Sequence, residues 1–237
     1  MSVTKRMIVL ANAVRHAPCR CVAGREVIQS GMKYRFGPWI RPLSSHGEGE
    51  LAPSETLLAG GGQPMVLDFV EIALLEPANA SRQPENWRID ASRRWRSVGD
   101  RFKPPPMHAL LESPPDLWLD SGRRSDRVEA ERLKRKPPRQ SLYFVRIDRL
   151  RVRFEWKSFE DAFRRRRRAI FRYNGRQYDL AITDPVFHER HALKFPPRGE
   201  PAAEIELQSK SGFYVCVSLA HAFNGYHYKV VATILEA

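Results

Sequence analysis

A chain of 237 residues with 42% apolar content can bury a core as one large domain or two small ones, which excludes disorder along its whole length. Its 40 Lys and Arg outnumber its 27 Asp and Glu to give +13, mostly from arginine, so polyanions are the first partners to consider. Three cysteines (Cys19, Cys21 and Cys216) exclude a disulfide framework and fit a reducing, cytoplasmic setting, and no run reaches the roughly 20 apolar residues of a membrane helix.

In chain order, Met7-Ile-Val-Leu-Ala11 is a short β-forming run that predicts a buried strand, too brief for a signal core. The turn-prone, basic stretch Asn12 to Pro18 ends it. Trp39 and Ile40 form a strand between Pro38 and Pro42. Met65 to Leu75 alternates only in part, which favours a mostly buried strand over an amphipathic helix.

From Pro77 to Gly122 the many prolines, with helical candidates at Ala91 to Val98 and Met107 to Glu112, predict a connector laid over the surface. Arg123 to Arg139 combines Arg-Arg, Lys134-Arg-Lys136 and Pro137-Pro138 and reads as a mobile basic segment. The boundaries expected are therefore an N-terminal domain over 1–122, a basic linker over 123–140 and a C-terminal domain over 141–237.

Beyond the linker, Ser141 to Asp148 and Leu150 to Trp156 alternate apolar with charged residues, the period of a sheet wetted on one side. Asn174-Gly175 between Ala169 to Tyr173 and Arg176 to Ile182 is a hairpin signal, because Asn-Gly accepts the positive φ of a tight turn. Phe213 to Leu219 and Tyr226 to Ile234 add two strands around Asn224-Gly225. The fold class expected is mainly β, with about five short strands per half as in a small OB-like barrel.

Taken together, Ile8-Val-Leu-Ala-Asn12, Arg20-Cys-Val-Ala-Gly24, Trp39-Ile-Arg-Pro42, Phe171-Arg-Tyr-Asn-Gly175 with Tyr178-Asp-Leu180, Thr183-Asp-Pro185, Val215-Cys-Val-Ser-Leu219 and Gly225 to Ala232 resemble, in order and spacing, the dual OB-domain-containing proteins, small prokaryotic proteins. The resemblance spans almost the whole chain. It implies two tandem OB barrels, nucleic acid as ligand, and for some members an accessory place in defence or mobile-element gene clusters. The chain departs from that pattern at Ala13-Val14, at Ala220-His-Ala222 and in the density of Arg164 to Arg168.

OB barrels hold single strands through a basic groove and rings on which bases stack. Tyr34, Phe36, Trp39 and Arg41 supply these types in the first half, and Phe171, Arg172, Tyr173, Arg176 and Tyr178 in the second. The competing reading is that the rings fill barrel interiors; alternation places Phe171 and Tyr173 on a buried face and Arg172 on the exposed one. Asn12, Arg15, Arg20 and Arg25 gather donors suited to a phosphate or base edge, with Arg41 joining across the sheet; alternatively Asn12 caps a turn and the arginines are solvated. The run Arg164, Arg165, Arg166, Arg167 and Arg168 cannot present one face as helix or strand and should stay extended or mobile until an anion neutralises it.

No metal or cofactor is expected: Cys19-x-Cys21 beside His16 has the wrong spacing for zinc, and His188-Glu-Arg-His191 is one residue short of the helical protease motif. Gly60-Gly-Gly62 lacks the Lys of a P-loop, and Asp184 reads as a turn residue before it reads as an acid; Asp184, Arg190 and Lys229 are the one polar set that would suit a pocket. The reading is therefore a nucleic-acid-binding protein rather than a self-sufficient enzyme, with DNA or RNA and a helicase or nuclease as partners and no membrane. Two alternatives stay open: an adaptor docking an acidic protein, and a nucleotide-binding or processing pocket between the barrels.

Overall fold

The computed structural model describes residues 2–14, 16–31, 33–46, 49–78, 83–119, 126–159 and 162–237, with Phe159 and Ala162 described by backbone alone. The chain is mainly β and divides into two units, residues 1–110 with 138–142 and residues 111–137 with 143–237. Among the described residues no helix is long and apolar enough to cross a membrane.

The first unit contains β1 (Val3–Ala13), β2 (Cys21–Ser30), β3 (Lys33–Leu43), β4 (Phe69–Pro77), β5 (Asn86–Ile89) and the short β6 (Arg96–Ser97). Neighbours run β1-β2-β3-β5-β4, and β4 pairs back to β1, which closes a five-strand barrel of OB topology. One strand serves both ends of the closure: Val3 to Ile8 pairs with β4, and Met7 to Ala13 with β2 across a register shift between Val9 and Ala11. Gly24 makes the bend possible, because a Cβ there would overlap the Ile8 carbonyl. β3 and β5 run parallel, and Met7, Val9, Val22, Ile40, Leu51, Val70, Ile72, Ile89 and Trp95 fill the interior.

Three local expectations change. The helix expected over Ala91 to Val98 does not form: the Asp90 carboxylate accepts from the Ser92 amide and hydroxyl, turning the chain so that Trp95 enters the core and Arg96 pairs with β4. Met107–Leu110 is a single 3₁₀ turn. The core strand starts at Phe69 because Asp68 accepts from the Met65 amide (2.8 Å) and closes a turn before it.

The second unit contains β7 (Arg127–Glu129), α1 (Ala130–Arg135), β8 (Leu142–Ile147), β9 (Leu150–Phe159), β10 (Ala162–Tyr173), β11 (Arg176–Ile182), α2 (Pro185–Arg190), β12 (Ala203–Leu207), β13 (Phe213–Phe223) and β14 (Tyr226–Glu236). The order β9-β10-β11-β14-β13-β8, with β11 and β14 parallel, repeats the first unit's topology. β8 and β9, separated only by Asp148 and Arg149, divide between them the two pairings that β1 makes alone. The Asn174-Gly175 turn forms with both residues at positive φ, and Asn174 donates to the Pro114 carbonyl. The described part of the segment read as mobile, residues 126–139, carries β7 and α1, anchored by buried Val128 and Leu133; the rest of the Arg123 to Arg139 reading lies outside the described residues.

Candidate nucleic-acid interface

The arginine run lies inside β10, and strand alternation deals it onto two faces with different partners. Arg166 and Arg168 point to the outer face, into a lattice of carboxylates from neighbouring strands. Arg166 lies 3.6 Å from Glu155, and Arg168 lies 2.5 Å from Asp179 and 3.9 Å from Asp126. On β9, Arg151 pairs with Glu204 (3.2 Å), and Arg153 with Asp179, Glu204 and Glu155. The run is therefore extended, one of the two states expected, and it is ordered rather than mobile before any ligand arrives, because carboxylates neutralise one face and aromatic rings cover the other. A shallow cleft of about 430 Å³ on the outer face has Arg149, Arg151, Arg172 and Gln177 in its lining together with Asp148 and Glu206, so its charge is mixed. Arg164 and Arg172 are exposed on the same strand.

The odd residues behave differently. Residues 162–167 of β10 pair with β9 but not with β11, so the β9–β10 hairpin overhangs the barrel. On its inward face the Arg165 guanidinium sits 5.3 Å from the Trp156 ring centre and 5.2 Å from that of Phe195; Arg167 sits 4.6 Å from Phe195, and Arg198 5.0 Å from Trp156. Among the described residues none of these three arginines has a carboxylate partner. The Trp156 indole N–H is tied to the Pro196 carbonyl (2.8 Å), which fixes the ring, and Phe163 stands 57% exposed at the outer end. A guanidinium lying on a ring engages its face and keeps its N–H edge for an anion.

Exposure falls inward along this face, from Arg165, which is exposed, to Arg167, which is buried. Arg167 donates to the His188 carbonyl (3.2 Å), while its Nε is buried without an acceptor. Burial and the like charge of Arg165 hold its pKa below the ordinary arginine value. The His188 ring bonds the Ile182 carbonyl (2.9 Å), which makes Nε2 the protonated nitrogen. Burial, then Arg167, holds His188 below the usual histidine range; burial, then Arg190, Lys194 and Arg167, does the same for His191.

The other sequence candidates are distributed as follows. Arg15 lies outside the described residues. Asn12 donates to the Pro64 carbonyl (2.8 Å) and keeps a buried Oδ1 without a partner. Arg20 is half-buried and pairs through its backbone with Leu51. Arg25 donates to the Gly37 carbonyl (2.6 Å) and lies 6.0 Å from the Trp39 ring centre. Trp39 and Arg41 are 3% and 7% exposed, and Arg41 faces Glu85 at 3.5 Å, so burial removes both from the contact set. On the hairpin Phe171 and Tyr178 are buried and stacked, whereas Arg172 and Arg176 are exposed.

The polar-pocket set does not converge on an opening. Asp184 Oδ1 accepts from the Val186 and Phe187 amides and Oδ2 from the Ile234 amide, so it caps α2 and ties it to β14. Arg190 is exposed at the opposite end of that helix, and Lys229, 1% exposed, lies 5.6 Å from the Tyr178 ring centre. Among the described residues no group of three or more His, Cys, Asp or Glu could hold a metal ion.

The sequence reading missed Trp156, Phe195 and Arg198 as site residues. Their signal is faint, since a lone Trp in an alternating strand reads as core, and only the fold returns 195–198 onto β9. No curated protein matches the chain. The family model of the dual OB-containing domain, a domain type whose OB barrels commonly bind nucleic acids, matches residues 5–234, and the chain belongs to that family.

Proposed function

We propose that this protein binds single-stranded nucleic acid on the overhanging face of β9 and β10. The observation that carries the reading is the trio Arg165, Arg167 and Arg198, held on Trp156 and Phe195 without a carboxylate of its own. Elsewhere on the sheet, arginines such as Arg151, Arg153, Arg166 and Arg168 are neutralised from within. The strand 2–3 face and the connection between strands 1 and 2 of an OB barrel are its usual nucleic-acid contacts, and β9 and β10 hold the places of strands 1 and 2 here. Phosphates would meet guanidinium edges, and bases would stack on the exposed Phe163 ring. Arg164, Arg172 and Arg176 add outer charge, and in the first unit Asn12, Arg20 and Arg25 remain as further contacts. On this reading the protein holds a strand for a helicase or nuclease partner.

Fluorescence anisotropy with labelled single-stranded DNA, single-stranded RNA and duplex DNA across a salt series tests this. Single strands should bind more tightly than duplex. Arg165→Gln with Arg198→Gln should reduce the magnitude of the log Kd against log salt slope by about 1.4, since each single-strand phosphate contact contributes roughly 0.7. Affinity no tighter than the roughly 10⁻⁴–10⁻⁶ M of non-specific contacts, unchanged in the double variant, would overturn the reading.

A further inference from the structure

The inner end of the overhang differs chemically from its outer end. Arg165 is exposed, as an arginine gripping a passing strand should be. Arg167, two residues inward and so roughly 7 Å deeper along the strand, is 9% exposed. A buried cation is ordinarily paired with an anion, because desolvating it alone is unfavourable. Arg167 has no such partner among the described residues: its contacts are one carbonyl and the Phe195 ring, and its Nε has no acceptor. His191 Nδ1 is also buried without a partner, in a ring 4.3 Å from that of Phe187 and 6.3 Å from that of Phe154. Arg167 is among the charges that hold His191 neutral, so the two groups sense one another. The Arg167 Nε–H and, in the tautomer protonated at Nδ1, the neutral His191 ring are buried donors short of an acceptor, which an inserted anion would satisfy.

Phe154 and Phe187, both buried, pack against the His191 ring, and little of Arg167 reaches the surface. An internal phosphodiester carries a sugar on each side and would have to bring both to that narrow exposure. A terminal phosphate has a sugar on one side only and can enter from the Arg165 end. It also carries close to two negative charges near neutral pH, matching more than one guanidinium. We propose that Arg167 takes the terminal monoester phosphate of a single strand as its anchor, with Arg165 on the next phosphate outward and the bases along Phe163. This rests on the nucleic-acid reading above and adds that the protein recognises a phosphorylated end.

The test uses the full chain and one internally labelled oligonucleotide in three forms: 5′-phosphate, 3′-phosphate and hydroxyl at both ends. One phosphorylated form should bind at least tenfold tighter than the hydroxyl form, and which one it is assigns the end. In Arg167→Gln the ratio should fall to within twofold of one, and Arg167→Lys, which keeps the charge but not the fork, should retain part of it; thermal unfolding of both variants verifies that they are folded. Equal binding of all three forms to the wild type would overturn the end reading while leaving single-strand binding standing. Absence of binding by all three would overturn both. A phosphate preference undiminished in either folded variant would place the phosphate elsewhere and also overturn the proposal.

Discussion

Arg41 and Arg167 are both nearly buried, yet their surroundings assign them opposite roles. Arg41 faces Glu85, and Glu85 also accepts from the Ser141 hydroxyl and amide, which makes a closed polar cluster inside the first unit. Removing one partner should leave a buried charge without compensation: Glu85→Ala is expected to lose about 3–5 kcal/mol in denaturant unfolding, whereas Arg41→Met with Glu85→Met should recover much of that. The histidines give a residue-scale pH prediction. His188 and His191 titrate below their unfolded value of about 6.5, so between the folded and unfolded pKa the unfolded chain binds more protons. Stability then rises with pH through that window, is fully present above it, and is lost as pH falls below about 6.5. The denaturant midpoint should drop between pH 7.5 and pH 5.5, and by less in a His188→Gln, His191→Gln variant; an identical drop in that variant would place the sensitive groups elsewhere.

α2 shows how one short element positions the site. Its six residues would not persist as an isolated helix. Pro185 at the first turn, the Asp184 cap, the Asp184 bond to Ile234 of β14 and buried Phe187 hold it in place, and from its end the chain returns Phe195 and Arg198 to the arginines of β10. Asp184→Ala should therefore cost about 2–4 kcal/mol, a lost cap plus a buried amide left unpaired, and should weaken nucleic-acid binding as well; denaturant unfolding and anisotropy on the same variant measure both. If Asp184 were instead an acid catalyst, its loss would leave stability unchanged. The strands and the Asn174-Gly175 hairpin were legible because period-two alternation and positive-φ turn residues are local signals. The partition of Arg164 to Arg168 was not, because it depends on cross-strand register with Glu155 of β9 and Asp179 of β11 and on Asp126 and Phe195, which the fold brings in from farther along the chain. Trp39 and Arg41 misled for the same reason: their types suit recognition, and only the closed barrel shows that they face inward.

Over the whole molecule a formal charge of +13 is tolerable because its distribution is uneven. Much of the arginine on β9 and β10 is offset by Glu155, Asp179 and Glu204, whereas Arg165, Arg167 and Arg198 gather where rings rather than carboxylates face the guanidinium groups. That concentration is a cost in the free protein, borne by dispersion and cation–π contact with Trp156 and Phe195 and relieved by any anion that enters. An anion that binds only the folded state raises stability by mass action. Phosphate should therefore raise the unfolding temperature more than chloride at equal ionic strength. Part of that rise is the general strengthening of apolar burial by excluded salts, which every folded variant shares. The remainder should vanish in Arg165→Gln, Arg167→Gln, Arg198→Gln, so the phosphate-minus-chloride difference, measured by calorimetry on wild type and triple variant, isolates the site. An equal difference in the two proteins would mean that the arginines on the aromatic face hold no anion, and that the protein's polyanion affinity, if measured, belongs to the outer sheet or to the first unit.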